Sequence, residues 1–274
     1  MKTSDLHQGV AACLREPDPA RKVVCTRELA ARCRAGGLDV EQQVRWPSVP
    51  HEPGRPARPE LVAPRRLPRR RLQDAVGRAA LIHSVAHIEF NAINLALDAA
   101  LRFGGMPRQY YLDWLEVAGE EAYHFTLMRE RLSALGYEYG DFPAHDGLWQ
   151  MARQTAGDPL ERMALVPRVL EARGLDVTPG MIDRLRGVGD DETADRLAVI
   201  LRDEVGHVAI GTRWFRWLCA ERGLDPRETY LRLIRDRFRG RVRCPLNLPD
   251  RRRAGFDEAE IDGLLAMCDG QGSG

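Results

Sequence analysis

The sequence predicts an all-α protein built around a four-helix bundle. Segments with helical apolar periodicity follow one another from residue 73 to residue 222, and glycines and helix-capping residues separate them. The sequence shows neither strand-like alternation of useful length nor internal repeats. Its 274 residues, of which 44% are hydrophobic and 30% charged, are enough for one sizeable core or two small domains.

Start and stop signals give the bounds of the bundle helices. The four helices are expected at residues 73–103, 107–135, 158–173 and 192–222. In the third, Asp158 and Glu161 surround Pro159 in a capping arrangement, and Gly174 is expected to end the helix. The following Pro179 predicts the start of a separate short helix.

The chain is expected to divide into three parts. Residues 1–71 are predicted to form short helices and an extended arm, because residues 42–71 hold seven of the 17 prolines and eight arginines against two acids. Residues 72–222 are predicted to form the four-helix bundle. Residues 223–274 are predicted to add a C-terminal helical extension.

Charge and apolar content restrict the function classes. The 41 basic and 40 acidic side chains nearly cancel, so no overall charge favours nucleic-acid binding. The longest apolar runs are shorter than the roughly 18 residues that cross a bilayer, and Glu16, Asp18 and Arg21 lie where a secretion signal would be apolar. The six cysteines form no C-x-x-C pair. We therefore expect a cytoplasmic protein without a membrane partner and with reduced thiols.

Each predicted bundle helix carries one carboxylate on its apolar face, and the second and fourth also carry a histidine one turn later. The six residues are Glu89, Glu121, His124, Glu171, Glu204 and His207. An isolated buried charge costs several kcal/mol or more, so such carboxylates need partners. Two divalent cations would neutralise four carboxylates, and oxygen and imidazole ligands favour iron or manganese over structural zinc. The pattern predicts two iron ions, with manganese or a mixed iron–manganese pair as alternatives.

The same residues allow other interpretations. A buried network of ion pairs with arginines such as Arg168 could replace the metal ions. Glu171 is the weakest ligand, because Pro167 one turn earlier distorts its helix and Glu161 competes for the same role.

Further side chains are expected around the predicted ligands. Asp203 could hydrogen-bond the second ring nitrogen of His124, or it could be an ordinary exposed aspartate. Tyr123 is expected near the site without entering it. His83 and His87 share another helix face, where they would make polar contacts or form a second metal pair.

Five segments resemble a bacterial family of ferritin-like proteins of unassigned function. They span residues 86–98, 120–125, 139–149, 168–179 and 202–207. The loop at 139–149 and the run at 168–179 make the resemblance specific. That family is distantly similar to the di-iron tRNA hydroxylases. The resemblance implies a ferritin-like bundle and favours Glu171 over Glu161, but it implies no activity.

The predicted centre favours an oxidoreductase. A di-iron monooxygenase or hydroxylase would oxidise an unidentified small molecule with dioxygen and an external electron donor. An iron-binding ferroxidase and a non-catalytic, metal-stabilised bundle are the alternatives. Residues 232–253 hold nine arginines against two acids and could track phosphates, yet Phe238 is their only aromatic ring. A tRNA partner is therefore expected less than a small molecule.

Overall fold

A computed structural model of the chain describes residues 6–36, 49–68, 71–238 and 240–269. Within these ranges the regular structure is helical, no β-strand occurs, and Leu61 and Ala144 form an isolated bridge. The predicted all-α class is confirmed. No helix in the described ranges combines the length and the apolar character needed to span a membrane. The chain forms two compact units, Met1–Arg153 and Gln154–Gly274.

The first unit is built from two helical hairpins. Its helices are α1 (Leu6–Arg15), α2 (Pro19–Arg34), α3 (Ala75–Arg102) and α4 (Arg108–Ala134), followed by α5 (Gly147–Gln154) at its end. Helix α3 packs along α4, while α2 contacts α4 and α1 contacts α3. The side chain of Asp18 accepts a hydrogen bond from Arg21 N and caps α2. The predicted helices at 73–103 and 107–135 thus correspond to the α3–α4 hairpin.

Residues 49–68 form an arm on the first unit that is extended except for a 3₁₀-helical turn at Pro64–Arg66. Gly54 N donates a hydrogen bond to Leu14 O at 2.8 Å, and Val62 N donates to Ala144 O at 2.8 Å. A side chain at Gly54 would overlap the backbone of Arg15, so the approach of the arm to α1 requires glycine. The remainder of the arm predicted at 42–71, residues 42–48 and 69–70, lies outside the described residues.

In the second unit, an α-helix, a π-helical segment and another α-helix follow one another without a break. The elements are α6 (Pro159–Leu165), a π-helical segment (Val166–Glu171), α7 (Ala172–Gly187), α8 (Asp191–Glu221), α9 (Pro226–Arg237), α10 (Leu248–Arg253) and α11 (Glu258–Asp269). Helix α7 and the segment Val166–Glu171, called the π segment below, both pack against α8. Pro167 lies in the π segment, which agrees with the prediction that this proline distorts its helix.

The predicted helix end at Gly174 and new start near Pro179 are wrong. Helix α7 continues through both residues. Gly174 does not adopt the positive φ of a helix-ending glycine, and a methyl group on it would lie 3.8 Å from Cγ of Glu204. Gly174 therefore lies in regular helix, where a methyl group would make an ordinary contact with α8.

Four of the cysteines are disulfide-bonded, so the expectation of reduced thiols is wrong for them. Cys13 on α1 pairs with Cys25 on α2, and Cys244 pairs with Cys268 on α11. Their separations of 12 and 24 residues match no sequence framework, and folding brings the paired Cα atoms to 5.7 and 6.0 Å. The cysteines that stay as thiols are buried: Cys33 and Cys219.

Lys22 on α2 is buried in the first unit. Its Nζ donates to Leu14 O at 3.0 Å and to Asn94 Oδ1 at 2.5 Å, and it lies 5.4 Å from the centre of the Phe90 ring. Burial, followed by the charge of Arg55, lowers the pKa of the Lys22 amine to about 7. The amine joins α1, α2 and α3 at one point.

The buried amine predicts a pH dependence of folding. Because the pKa of Lys22 is about 7 in the folded state and near 10.5 when exposed, the unfolded chain binds more protons between these values. The contribution of Lys22 to the free energy of unfolding should therefore rise with pH by about 1 kcal/mol per unit around pH 8. Urea unfolding of wild type and Lys22→Met at pH 7.5 and 8.5 measures this contribution. A wild-type-minus-variant difference that does not change with pH would contradict the prediction.

Candidate metal centre

Three predicted ligands come together in the first unit. Helix α3 supplies Glu89, and α4 supplies Glu121 and His124 from successive turns of one face. Nδ1 of His124 lies 3.3 Å from Oε2 of Glu121 and 3.5 Å from Oε2 of Glu89. Their potential ligand atoms all lie within 4.8 Å of one another, and all three residues are buried. These residues are called the first half-site.

The first half-site holds protons in the absence of a cation. Burial, followed by the negative charge of Glu121, raises the pKa of Glu89 to about 8. Burial lowers the pKa of His124, but hydrogen bonds and charge from Glu121 and Glu89 outweigh it and raise this pKa well above its usual range. Near pH 7 the site therefore carries a protonated Glu89 beside an imidazolium. A cation that binds there must displace protons.

The second unit repeats part of this arrangement on α8. Nδ1 of His207 lies 3.2 Å from Oε2 of Glu204 one turn earlier, and His207 is buried. Glu204 packs beside Gly174, which follows Glu171 by three residues on the adjoining helical path. Glu171 ends the π segment and is partly buried. Glu204 and His207, together with Glu171 as the ligand predicted from the sequence, are called the second half-site.

The donor atoms of the first half-site suit a transition-metal ion. Carboxylate and imidazole ligands bind about 2.0–2.2 Å from such an ion, so two ligands of one ion lie at most about 4.4 Å apart. The distances of 3.3 and 3.5 Å from His124 Nδ1 satisfy this limit. Iron and manganese accept this mixture of oxygen and nitrogen ligands. Glu89, Glu121 and His124 therefore fit the predicted type of metal.

Arg168 and Glu161, which the alternative interpretations placed at the site, each pair with another residue. Nη2 of Arg168 donates to Oε1 of Glu260 at 2.6 Å, and both side chains are fully buried. Glu161, the competitor of Glu171, accepts a hydrogen bond from Nη2 of Arg237 at 2.6 Å. These pairs leave Glu171 as the stronger prediction for the ligand.

Tyr123 and Asp203 were predicted to lie around the site. Tyr123 is 41% exposed, and its ring centre lies 6.2 Å from that of His124. Asp203 accepts a hydrogen bond from Nε of Arg202 at 2.8 Å. Tyr123 is thus near His124 on the outer side of α4, and the role predicted for Asp203 stays a prediction.

His83 and His87 make polar contacts with the loop after α4. Nε2 of His83 accepts from Gly140 N at 2.9 Å, and Nδ1 of His87 lies 2.9 Å from the hydroxyl of Tyr139. Burial lowers the pKa of each imidazole to about 4. The two rings hold this loop against α3, as the polar-contact interpretation predicts.

Part of the arginine-rich run at 232–253 is buried or paired with acidic residues. Arg251 is buried, and its Nε and Nη2 donate to the two carboxylate oxygens of Asp176 at 3.0 and 2.8 Å. Arg252 pairs with Glu258 at 2.7 Å. Because arginine is the default basic residue of this chain, its abundance gave no signal that distinguishes a buried arginine from an exposed one.

Comparisons with known proteins identify a family and a relative that the chain resembles. A family described as "Protein of unknown function (DUF455)" matches residues 15–262, which include both half-sites. An "Uncharacterized protein" from Haemophilus influenzae is 48% identical over 219 residues, which cover 77% of this chain and 76% of its own. No solved structure matches the chain.

Proposed function

The chain belongs to the DUF455 family, and we propose that it is a ferritin-like di-iron oxidoreductase that oxidises or hydroxylates a small molecule with dioxygen. The observation that carries the proposal is the convergence of Glu89, Glu121 and His124 in a buried site. An iron–manganese pair would use the same ligands.

The first step of the argument is electrostatic. Two carboxylates and one imidazole are buried together, although buried charges are costly without compensation. The raised pKa of Glu89 expresses that cost, because the carboxyl keeps its proton at pH values at which an exposed one is ionised. A divalent cation would remove the repulsion and bind both carboxylates. The residues are thus suited to a cation rather than to a stable charge network of their own.

The second step is the repetition of the ligand pattern. Glu89 precedes Glu121 by 121 − 89 = 32 residues, and Glu171 precedes Glu204 by 204 − 171 = 33 residues. In each half-site the histidine follows the later glutamate by three residues. This is the ligand pattern of ferritin-like di-metal proteins. We therefore propose that the two half-sites hold one ion pair, with α3, α4, α7 and α8 as a ferritin-like bundle.

The proposed chemistry divides between the ions and the chain. A reduced iron pair, when bound, would supply electrons for the activation of dioxygen. The carboxylates and imidazoles would hold and orient the ions, and the burial of Glu89, Glu121 and His124 would limit the access of water to the first half-site. Insertion of one oxygen atom into a C–H bond converts the other to water. That balance requires two electrons and two protons from an external donor.

Metal analysis followed by oxygen exposure tests the proposal. We expect purified protein to bind two iron ions per chain under anaerobic conditions and to consume dioxygen without accumulating ferric mineral. Growth of a ferric core would favour iron handling instead. Tight zinc binding with no redox change would favour a metal that only stabilises the fold. The variant Glu116→Gln, which removes an exposed carboxylate from α4, should bind iron as the wild type does.

A further inference from the structure

The π segment of the second unit is held by a buried arginine. The guanidinium of Arg168 is fully buried and donates to Glu260 on α11 at 2.6 Å, and Glu260 is fully buried as well. The two residues are 92 positions apart in the sequence. A buried ion pair is retained only where its geometry is good, and breaking one costs several kcal/mol. The contact therefore fixes Arg168 firmly relative to α11.

Aromatic rings complete the surroundings of this guanidinium. Its central carbon lies 4.0 Å from the ring centre of Tyr230 and 4.7 Å from those of Phe215 and Phe256. Nε and Nη1 of Arg168 have no hydrogen-bond partner, so the faces of these rings take the place of oxygen acceptors. The hydroxyl of Tyr230 also donates to the backbone oxygen of Arg168 at 2.8 Å. Both the side chain and the backbone of Arg168 are thus anchored.

Glu260 is itself fixed at the start of α11. Its backbone N donates to Oδ1 of Asp257 at 2.8 Å, while its Oε2 accepts from Asp257 N at 3.2 Å. This reciprocal pair is a capping box, which sets the direction of the first turn. The same carboxylate therefore caps α11 and binds Arg168.

The π segment needs support of this kind from outside. A π-helical turn is rare and is stabilised by its surroundings rather than by local propensity. Pro167 lacks the backbone N–H that a regular helix would use, and its ring packs against Gly211 on α8. Glu171 follows Arg168 by three residues, at the end of the same segment. The position of the Glu171 carboxylate consequently depends on how the π segment is held.

We propose that Arg168 is a positioning residue that, through Glu260 and the aromatic rings, holds the π segment so that Glu171 can bind metal. This inference rests on the proposed function, because it assumes that Glu171 is a ligand. It assigns a role to the C-terminal helices: α9 and α11 set the geometry of the second half-site.

The test replaces the ion pair by apolar residues of similar size. Glu260→Gln alone would leave a buried charge without its partner and could prevent folding. The double variant Arg168→Met/Glu260→Met removes both charges, and such replacements are often neutral for stability. Its matched control is Arg252→Met/Glu258→Met, which removes an exposed ion pair between α10 and α11.

Two measurements on these proteins decide the proposal. Hydrogen–deuterium exchange of the metal-free proteins should show at least about tenfold faster exchange at residues 166–172 in the Arg168/Glu260 variant, with α4 unchanged. Anaerobic titration with Mn²⁺, followed by electron paramagnetic resonance, should show one ion bound as in wild type and the other at least about tenfold more weakly. The control should match wild type in both.

The outcomes separate this proposal from the proposed function. Unchanged exchange at residues 166–172, or two ions bound with wild-type affinity, would overturn the role of Arg168. If the wild type bound no Mn²⁺ and no iron, the proposed function would fail first, and the positioning role would fall with it. Faster exchange together with selective loss of one ion supports both.

Discussion

Replacing Glu89 with glutamine is expected to weaken ion binding at the first half-site by about 100-fold or more, because it removes one of three converging ligands. The metal-free variant should be more stable than the metal-free wild type at pH 7, because folding of the wild type must protonate Glu89, whose pKa rises from 4.5 to about 8, whereas glutamine is neutral in both states. This difference should be small near pH 5, grow up to pH 8 and stay constant above it.

Metal titration, and thermal unfolding of the metal-free proteins at pH 5, pH 7 and pH 8, measure both effects. Glu116→Gln on the exposed face of α4 is the matched control for the loss of one carboxylate. If the half-site were instead a structural network of ion pairs, Glu89→Gln would lower the unfolding temperature at pH 7. Unchanged metal affinity in this variant would contradict the assignment of Glu89 as a ligand.

Substitution of Gly211 by alanine is expected to destabilise the protein by about 3 kcal/mol. A Cβ atom at this position would lie too close to Cβ and Cγ of Pro167, which is fixed in the π segment. Either α8 or the π segment would have to move, and the usual gain from replacing a helical glycine by alanine, about 1 kcal/mol, would be lost.

Gly206 provides the control on the same helix. A methyl group there would meet no atom within 4 Å, and the residue is exposed. Gly206→Ala should therefore raise the free energy of unfolding by about 0.5–1 kcal/mol. Urea unfolding of both variants checks the opposite signs. Equal effects at the two positions would show that the contact between Gly211 and Pro167 does not limit packing.

Features with strong local patterns could be predicted from the sequence. The α3–α4 hairpin follows from long apolar periodicity, and the first half-site follows from Glu89 in an apolar seam and from the E-x-x-H spacing of Glu121 and His124. Both depend on the helical repeat, which fixes the face on which each residue lies. The convergence of these three side chains was predictable because two adjacent helices supply them.

Features that depend on long-range packing could not be predicted in this way. Gly174 and Pro179 are local signals for helix ends, yet tertiary contacts keep α7 continuous through both. The partners of Arg168 are separated from it by up to 92 residues, and arginine is too common in this chain to mark a buried one. Buried Lys22 gave no signal either, since a single lysine in a short helix is usually exposed.

The burial of Lys22 limits the chemical labelling of this protein. The chain has two lysines, Lys2 and Lys22, among its 41 basic residues, and the amine of Lys22 is inaccessible in the folded state. Because the Cys13–Cys25 disulfide links α1 to α2, acylating reagents and amine-directed cross-linkers can reach Lys22 only when this linked pair of helices moves away from α3. The rate of acylation of Lys22 would therefore report how often the pair leaves α3.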